Sequence, residues 1–167
     1  MSHLEHRASA PATVGCFVLT VSDTRTEDTD AGGRAIIDLL TTHGHVVLGR
    51  LIVRDEASDV VRAVREQLLR DDVQVVITTG GTGISSRDRT FEAISELLDR
   101  TIDGFGELFR MLSYQEIGAA AMLSRASGGL IGRKVVLILP GSEHAVRLAM
   151  TKLILPEIGH LVREAMR

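Results

Sequence analysis

The chain has 167 residues, 44% of them hydrophobic and 25% charged, with a formal net charge of −3. That is enough apolar matter for one good core but short for two domains, and the absence of a basic run argues against nucleic acid as the main partner, because phosphate neutralisation needs clustered Lys and Arg. A single cysteine, Cys16, excludes an intrachain disulfide or a cysteine metal cluster and is expected to be a small apolar residue of the first strand. No run of about 20 uninterrupted apolar residues marks a membrane span, so a soluble, cytoplasmic protein with no membrane partner is expected.

Residues 1–13 lack periodicity and include Pro11, which predicts a flexible tail with His3 and His6 solvated; residues 14–167 are read as a single domain. Gly15–Val21 is a β-type run ending at Ser22 and Asp23, followed by a polar acidic loop. Ile36, Ile37, Leu39 and Leu40 then recur at helical spacing, with Gly44 where a C-terminal cap is expected. Residues 45–53 read as a strand delivering Arg54, Asp55 and Glu56 to its end, and Ser58 opens a helix marked by Val60, Val61, Val64 and Leu68. Val75, Val76 and Ile77, continued by Thr78 and Thr79, predict a buried strand emptying into Gly80, Gly81 and Gly83. Thr90 is the candidate N-cap of a helix through Phe91, Ile94, Leu97 and Leu98.

Residues 104–112 form an amphipathic pattern through Phe105, Leu108, Phe109 and Leu112, and residues 117–123 a small-residue helix. Residues 127–132 read as a turn into Lys134–Leu139, the last strong strand, which Pro140, Gly141 and Ser142 end. A final helix begins with Ala145, Leu148 and Ala149, and Pro156 interrupts or restarts it.

The β-α-β-α-β-α alternation with short connections predicts a three-layer α/β/α sandwich with a mainly parallel central sheet. Ser22 with Asp23, Asp55, and residues 80–88 would then meet at one sheet edge, where open α/β folds bind ligands. The three glycines permit positive φ and close approach, so backbone N–H groups can converge on an anion. The turn has neither the Lys of a P-loop nor the G-x-G-x-x-G spacing of a dinucleotide fingerprint, and glycine-rich turns also occur without ligands. Asp55 and Asp88 have an alternative reading as helix N-terminal charges, worth roughly 0.3–1 kcal/mol each. Glu107 and Arg110 have one as an i,i+3 surface pair, worth about 0.2–0.5 kcal/mol. Ser142 is either a ligand contact or a helix cap.

Thr-Thr-Gly-Gly-Thr-Gly at residues 78–83, followed by Arg87-Asp88-Arg89-Thr90, resembles the signature of the MoaB/Mog family, the molybdopterin adenylyltransferases of molybdenum-cofactor biosynthesis. Phe105-Gly106-Glu107 with Arg110 and Ser113, Leu123-Ser124-Arg125 through Gly128, and Leu139-Pro140-Gly141-Ser142 resemble further family blocks. The likeness runs through nearly the whole chain from Ser22 and is closer to the MoaB branch. Two departures are Gly32, where relatives often have Ser, and Phe91, where many have Pro.

The resemblance implies the molybdopterin-binding (MoaB/Mog-like) fold and transfer of AMP from ATP to the phosphate of molybdopterin, releasing pyrophosphate. It also implies Mg2+ held by Asp88 and Asp55 as catalytic acids, since magnesium binds through one or two carboxylates plus substrate phosphates. ATP phosphates would lie on Thr79, Gly80, Gly81, Thr82, Gly83, Ser85, Ser86, Pro140, Gly141 and Ser142. Ser22, Asp23, Arg25, Glu107, Arg110, Ser113 and Arg125 are the substrate-pocket candidates. The family assembles as trimers, sometimes hexamers, which points to residues 104–123 as a subunit contact and to other cofactor-biosynthesis proteins as partners. A molybdopterin-binding or delivery protein without efficient transfer is the alternative.

Overall fold

A computed structural model describes residues 9–167 of the chain, so His3 and His6 lie outside the described residues. Six strands form one sheet: β1 (Gly15–Val21), β2 (Val46–Val53), β3 (Val75–Thr79), β4 (Arg100–Thr101), β5 (Ser127–Ile131) and β6 (Lys134–Leu139). Their order is β2-β1-β3-β6-β5-β4, parallel through β6 and antiparallel in β5 and β4. The helices are α1 (Ala31–Thr42), α2 (Ala57–Leu68), α3 (Thr90–Ser95), α4 (Asp103–Ile117), α5 (Glu143–Ala149) and α6 (Leu155–Ala165).

The two-residue period of a strand divides the apolar side chains between two faces. Cys16 and Val18 of β1, Val75 and Ile77 of β3, and Val135, Leu137 and Leu139 of β6 share one core with Ile36, Leu40, Phe105, Phe109, Val146 and Ile158 from α1, α4, α5 and α6. Phe17, Leu19 and Val21, Val76, and Val136 and Ile138 face the other way, against Val60 and Val64 of α2 and Ile94 of α3. Helices on both faces of a sheet make three layers. Each fully buried Leu, Ile or Phe contributes about 1.5–3 kcal/mol of burial.

Several local expectations change. Residues 127–132 are not simply a turn, because Ser127–Ile131 is a strand paired to both β6 and β4. Its glycines serve close packing: a Cβ on Gly128 would come within 2.8 Å of a Leu137 methyl, and one on Gly129 within 2.3 Å of the Arg100 carbonyl. Thr90 is the first residue of α3 rather than its cap, and Arg89 holds the cap position. The second helix starts at Ala57, one residue before Ser58. Residues Gly118–Leu123 form a 3₁₀ segment, and Leu108 of α4 is exposed. Beyond α5 a wide π-type segment, Met150–Ile154, leads into α6, where Pro156 occupies the first turn and restarts the helix. Gly44 does end α1, in a left-handed conformation at φ +81°. Ala10 and Pro11 lie against α6, since a Cβ on Gly159 would stand 2.5 Å from the Pro11 carbonyl.

Candidate functional site

Parallel pairing sends the C-terminal ends of β1, β2, β3 and β6 to one sheet edge. From β1 the chain crosses to β2 on one side and then to β3 on the other, so the order reverses between β1 and β3. At that reversal two diverging connections leave a crevice. A cleft of about 500 Å³ opens there, lined by Ser22, Arg25, Asp30, Gly32, Thr79, Gly80, Gly81, Gly141 and Ser142 among others.

The β1 side of the cleft is built from a buried polar set. Asp30, 2% exposed, caps α1 by accepting from the Gly33 N–H at 2.9 Å through Oδ1. Its Oδ2 accepts from Thr20 Oγ1 at 2.7 Å and from an Arg50 Nη2 that reaches over from β2 at 2.9 Å. These bonds fix the α1 N-terminus, whose Ala31 and Gly32 line the cleft, and such a terminus favours anions. A Cβ on Gly32 would find only ordinary contacts, 3.5 Å from Thr79 Oγ1 and 3.6 Å from the Gly141 carbonyl, so the departure from Ser leaves the backbone undisturbed.

The β3 end is tied to its neighbours before it turns. Thr79 Oγ1 donates to the Pro140 carbonyl at 2.8 Å, and the Gly80 N–H to the Leu139 carbonyl at 3.1 Å. Both donors are thus spent on the sheet, and an anion would be met from Gly81 onward. Gly80 and Gly81 adopt φ +96° and +66°, and a Cβ on Gly80 would lie 2.2 Å from the Val21 carbonyl. Ser142 lines the cleft and also caps α5, accepting from the Ala145 N–H at 3.2 Å. Ser22 lines it too, and its hydroxyl oxygen accepts from the N–H groups of Thr24 and Arg25.

Asp55 and Asp88 stand against the glycines. A Cβ on Gly81 would come within 2.1 Å of Thr90 Oγ1 and 2.9 Å of Asp55 Oδ1, and one on Gly83 within 2.5 Å of Asp88 Oδ2. Thr90 Oγ1 donates to Asp55 Oδ1 at 3.2 Å. Burial lifts the Asp55 carboxyl above the usual carboxylate range, and the charges of Asp88 and Asp23 add to this, against the opposing hydrogen bond from Thr90 and the charge of Arg87. Asp88 Oδ2 accepts from the N–H and the hydroxyl of Ser85 at 3.0 and 2.5 Å, closing the segment 85–88. Asp23 accepts from the Asp55 N–H at 3.1 Å and from Arg87 Nη2 at 2.6 Å, joining the ends of β1 and β2 to the turn after β3. Among the described residues no group of three or more His, Cys, Asp or Glu side chains is placed to hold a metal. Two hard carboxylates beside a glycine turn are a donor set that suits a cation whose other ligands come from water and phosphate.

The remaining candidates divide among neighbouring clefts. Ser85, Ser86 and Asp88 line a groove of about 670 Å³ on the outer side of the turn, facing α2. Asp55 and Ser86 line an adjoining one of about 330 Å³. Glu107, Arg110 and Arg125 line a cleft of about 360 Å³ between α4 and the segment before β5. Ser113 is buried on α4, outside these linings. Arg110 donates to the Ala126 carbonyl at 3.1 Å, and among the described residues no ion pair joins it to Glu107.

A family model described as "Probable molybdopterin binding domain" matches residues 17–160. The chain belongs to the MoaB/Mog family of molybdenum-cofactor biosynthesis. It is 55% identical over 168 residues to Molybdenum cofactor biosynthesis protein B of Bacillus cereus, covering 100% of this chain and 99% of that protein. A crystal structure of Molybdenum cofactor biosynthesis protein B superposes with a TM-score of 0.92 at 56% identity, covering 95% of this chain and 99% of the other. The tungsten cofactor synthesizing protein MoaB from Pyrococcus furiosus follows it with a TM-score of 0.83 at 40% identity, covering 95% and 100%.

In this MoaB/Mog chain two features escaped the sequence reading. One is the Asp30–Thr20–Arg50 set, for which the sequence carried two signals: an Asp three residues before Gly33 at a helix start, and a lone Arg inside the apolar strand β2. The other is Thr90 as the hydroxyl partner of Asp55, which depends on long-range packing and has no local signature. No helix among the described residues is long and apolar enough to cross a membrane.

Proposed function

We propose that the chain catalyses magnesium-dependent adenylylation of molybdopterin by ATP. The observation that carries this reading is a pair of carboxylates beside the turn that follows β3, Asp55 against the left-handed Gly81 and Asp88 against Gly83. A carboxylate there repels a nucleotide phosphate, and an acid lifted above its usual range by burial and by like charge is a group the fold keeps at a cost. That conflict is resolved when a cation sits between acid and phosphate.

In the reaction a phosphate oxygen of molybdopterin attacks the α-phosphorus of ATP. The bond to the bridging oxygen of the pyrophosphate breaks, and its electron pair leaves with pyrophosphate. Backbone donors from Gly81 onward and the α1 N-terminus receive phosphate oxygens, and Ser22, Arg25, Gly141 and Ser142 border the same cleft. Asp55 and Asp88 would hold magnesium, which supplies charge neutralisation on the phosphates when bound. Glu107 and Arg110, which line the 360 Å³ cleft, would bind molybdopterin. Alignment of two anionic substrates is the main service of such a site. With ATP as co-substrate the reaction would take place in the cytoplasm, and the product would pass to other proteins of cofactor biosynthesis.

One observation favours a second reading, a binding or delivery protein: the Asp88 carboxylate already serves the chain by closing the segment 85–88. Incubation with ATP, magnesium and molybdopterin separates the two. The enzyme gives adenylyl-molybdopterin and pyrophosphate, whereas the binder retains unmodified molybdopterin and releases no pyrophosphate. The reading includes a homo-oligomer, trimer or hexamer, supported by Leu108, Met111, Tyr114 and Ile117 of α4 and Met122 and Leu123 after it, all exposed. Light scattering at micromolar concentration is expected to give three or six chain masses; a persistent monomer contradicts it.

A further inference from the structure

We propose that Arg125 is the positioning residue of the glycine turn, holding residues 82–88 in the form that receives nucleotide phosphates. The proposal rests on the reading of this turn as the nucleotide site. Arg125 leaves the segment between the 3₁₀ segment and β5, and its guanidinium crosses to the turn. Nε donates to the Thr82 carbonyl at 2.9 Å, and Nη2 to the carbonyls of Gly83 and of Asp88, the latter at 3.2 Å. Nη1 pairs with Glu92 on α3, and the plane lies 4.8 Å from the centroid of the Phe91 ring. One side chain, 22% exposed, thus grips both ends of the turn and the start of the next helix.

The geometry of these bonds sets more than the carbonyls. In a trans peptide unit the N–H points opposite to the C=O, so drawing in the Thr82 and Gly83 carbonyls turns the N–H groups of Gly83 and Ile84 away from Arg125. The direction of the turn's donors therefore depends on a residue about 40 positions away. The other restraints include the Asp88–Ser85 bonds within the segment and the Arg87–Asp23 pair; Ile84, Ser85, Ser86 and Arg87 are exposed, and the 670 Å³ groove on the outer side leaves room for displacement. Phe91 supplies the aromatic face on which the guanidinium rests. Only a planar fork with donors on three nitrogens makes this set of bonds; a lysine ammonium is a point charge on a flexible stem.

Arg125→Lys and Arg125→Ala are compared with the unaltered protein by amide hydrogen exchange without nucleotide and by calorimetric ATP titration with magnesium. We expect exchange of the Ser85 and Asp88 amides, which are hydrogen-bonded within the turn, to quicken at least about tenfold in both variants while the amides of β1 and β3 keep their protection, and ATP affinity to fall about tenfold in Arg125→Lys and further in Arg125→Ala. Unchanged exchange in the turn of a folded variant overturns the proposal, and lost affinity without faster exchange would instead make Arg125 a direct ligand contact. Faster exchange with unchanged ATP affinity also overturns it, leaving a purely structural clamp. If the unaltered protein binds no ATP, the nucleotide reading itself falls, and the exchange arm still decides whether Arg125 holds the turn. Should Arg125→Ala fail to fold, Arg125→Lys carries both measurements.

Discussion

On the β1 side of the central cleft, Asp30, Thr20 and Arg50 form a buried set whose bonds are made within the sheet and the helix it starts. On the β3 side the segment 82–88 is largely exposed and is held by side chains arriving from elsewhere, Arg125 above all. The first wall is built by folding itself. The second has its shape set by a few removable contacts, and it carries the acids. Substitutions on the β1 side should therefore register as lost stability, and substitutions around the turn as lost ligand binding or turnover with the fold intact.

The largest expected effect lies on the β1 side. Asp30→Ala leaves a mostly buried Arg50 without its carboxylate, and removing one partner of a buried pair typically costs about 3–5 kcal/mol. Urea denaturation should show the midpoint falling accordingly, and Asp30→Ala combined with Arg50→Met should recover part of the loss. A silent Asp30→Ala would show that this wall is not prebuilt.

Gly81→Val comes next and reports on the turn. Its β-branched side chain meets both φ +66° and the space held by Thr90 and Asp55, a strain of about 1–3 kcal/mol. ATP affinity measured by calorimetry should drop at least about tenfold in a folded protein. Gly118→Ala is the control, since Gly118 has a similar φ of +64° with nothing within 4 Å of its Cβ position. With ψ at −143° it should cost about 1–3 kcal/mol of conformational strain and leave ATP binding alone. Equal ATP affinity in Gly81→Val and the unaltered protein would move the phosphate site off this turn.

The smallest effect is a gain. The folded pKa of Asp55 lies above its unfolded value of 3.8, so ionisation costs the folded state more than the unfolded one. The penalty is absent below the unfolded pKa, grows as pH rises through the interval, and is present in full above the folded pKa. Asp55→Asn should thus raise the melting temperature slightly at pH 7 and change nothing at pH 3. A lower melting temperature at pH 7 would mean that the acid is there for stability, on the same footing as Asp30.

The same contrast explains what the sequence could and could not convey. β-branched runs and helical spacing reveal β1, β3, β6 and the parallel alternation, because each rests on local periodicity. The strand Ser127–Ile131 was hidden because its Gly128 and Gly129, ordinarily turn residues, are there to admit Leu137 and the Arg100 backbone. At the site, the glycine turn and Asp88 are legible as a contiguous motif, and Asp55 as an acid at the end of a neighbouring strand. The role of Arg125 is not, because its partners at Thr82, Gly83 and Asp88 are distant in sequence and are met through carbonyls that leave no mark on residue type. Thr90 looked like a cap for the same reason: a hydroxyl before an apolar run gives no sign that a carboxylate from the preceding β-α unit will claim it.

The central claim is that the acids beside the turn serve chemistry and not only loop closure, and Asp88→Asn tests it most directly. The amide keeps an oxygen to accept from Ser85 and removes the charge. Pyrophosphate release at saturating magnesium, with ATP and molybdopterin, is predicted to fall about 10²–10³-fold while the variant stays folded and still binds molybdopterin. Turnover near that of the unaltered protein would remove Asp88 from the mechanism and leave it as the residue that closes the segment 85–88.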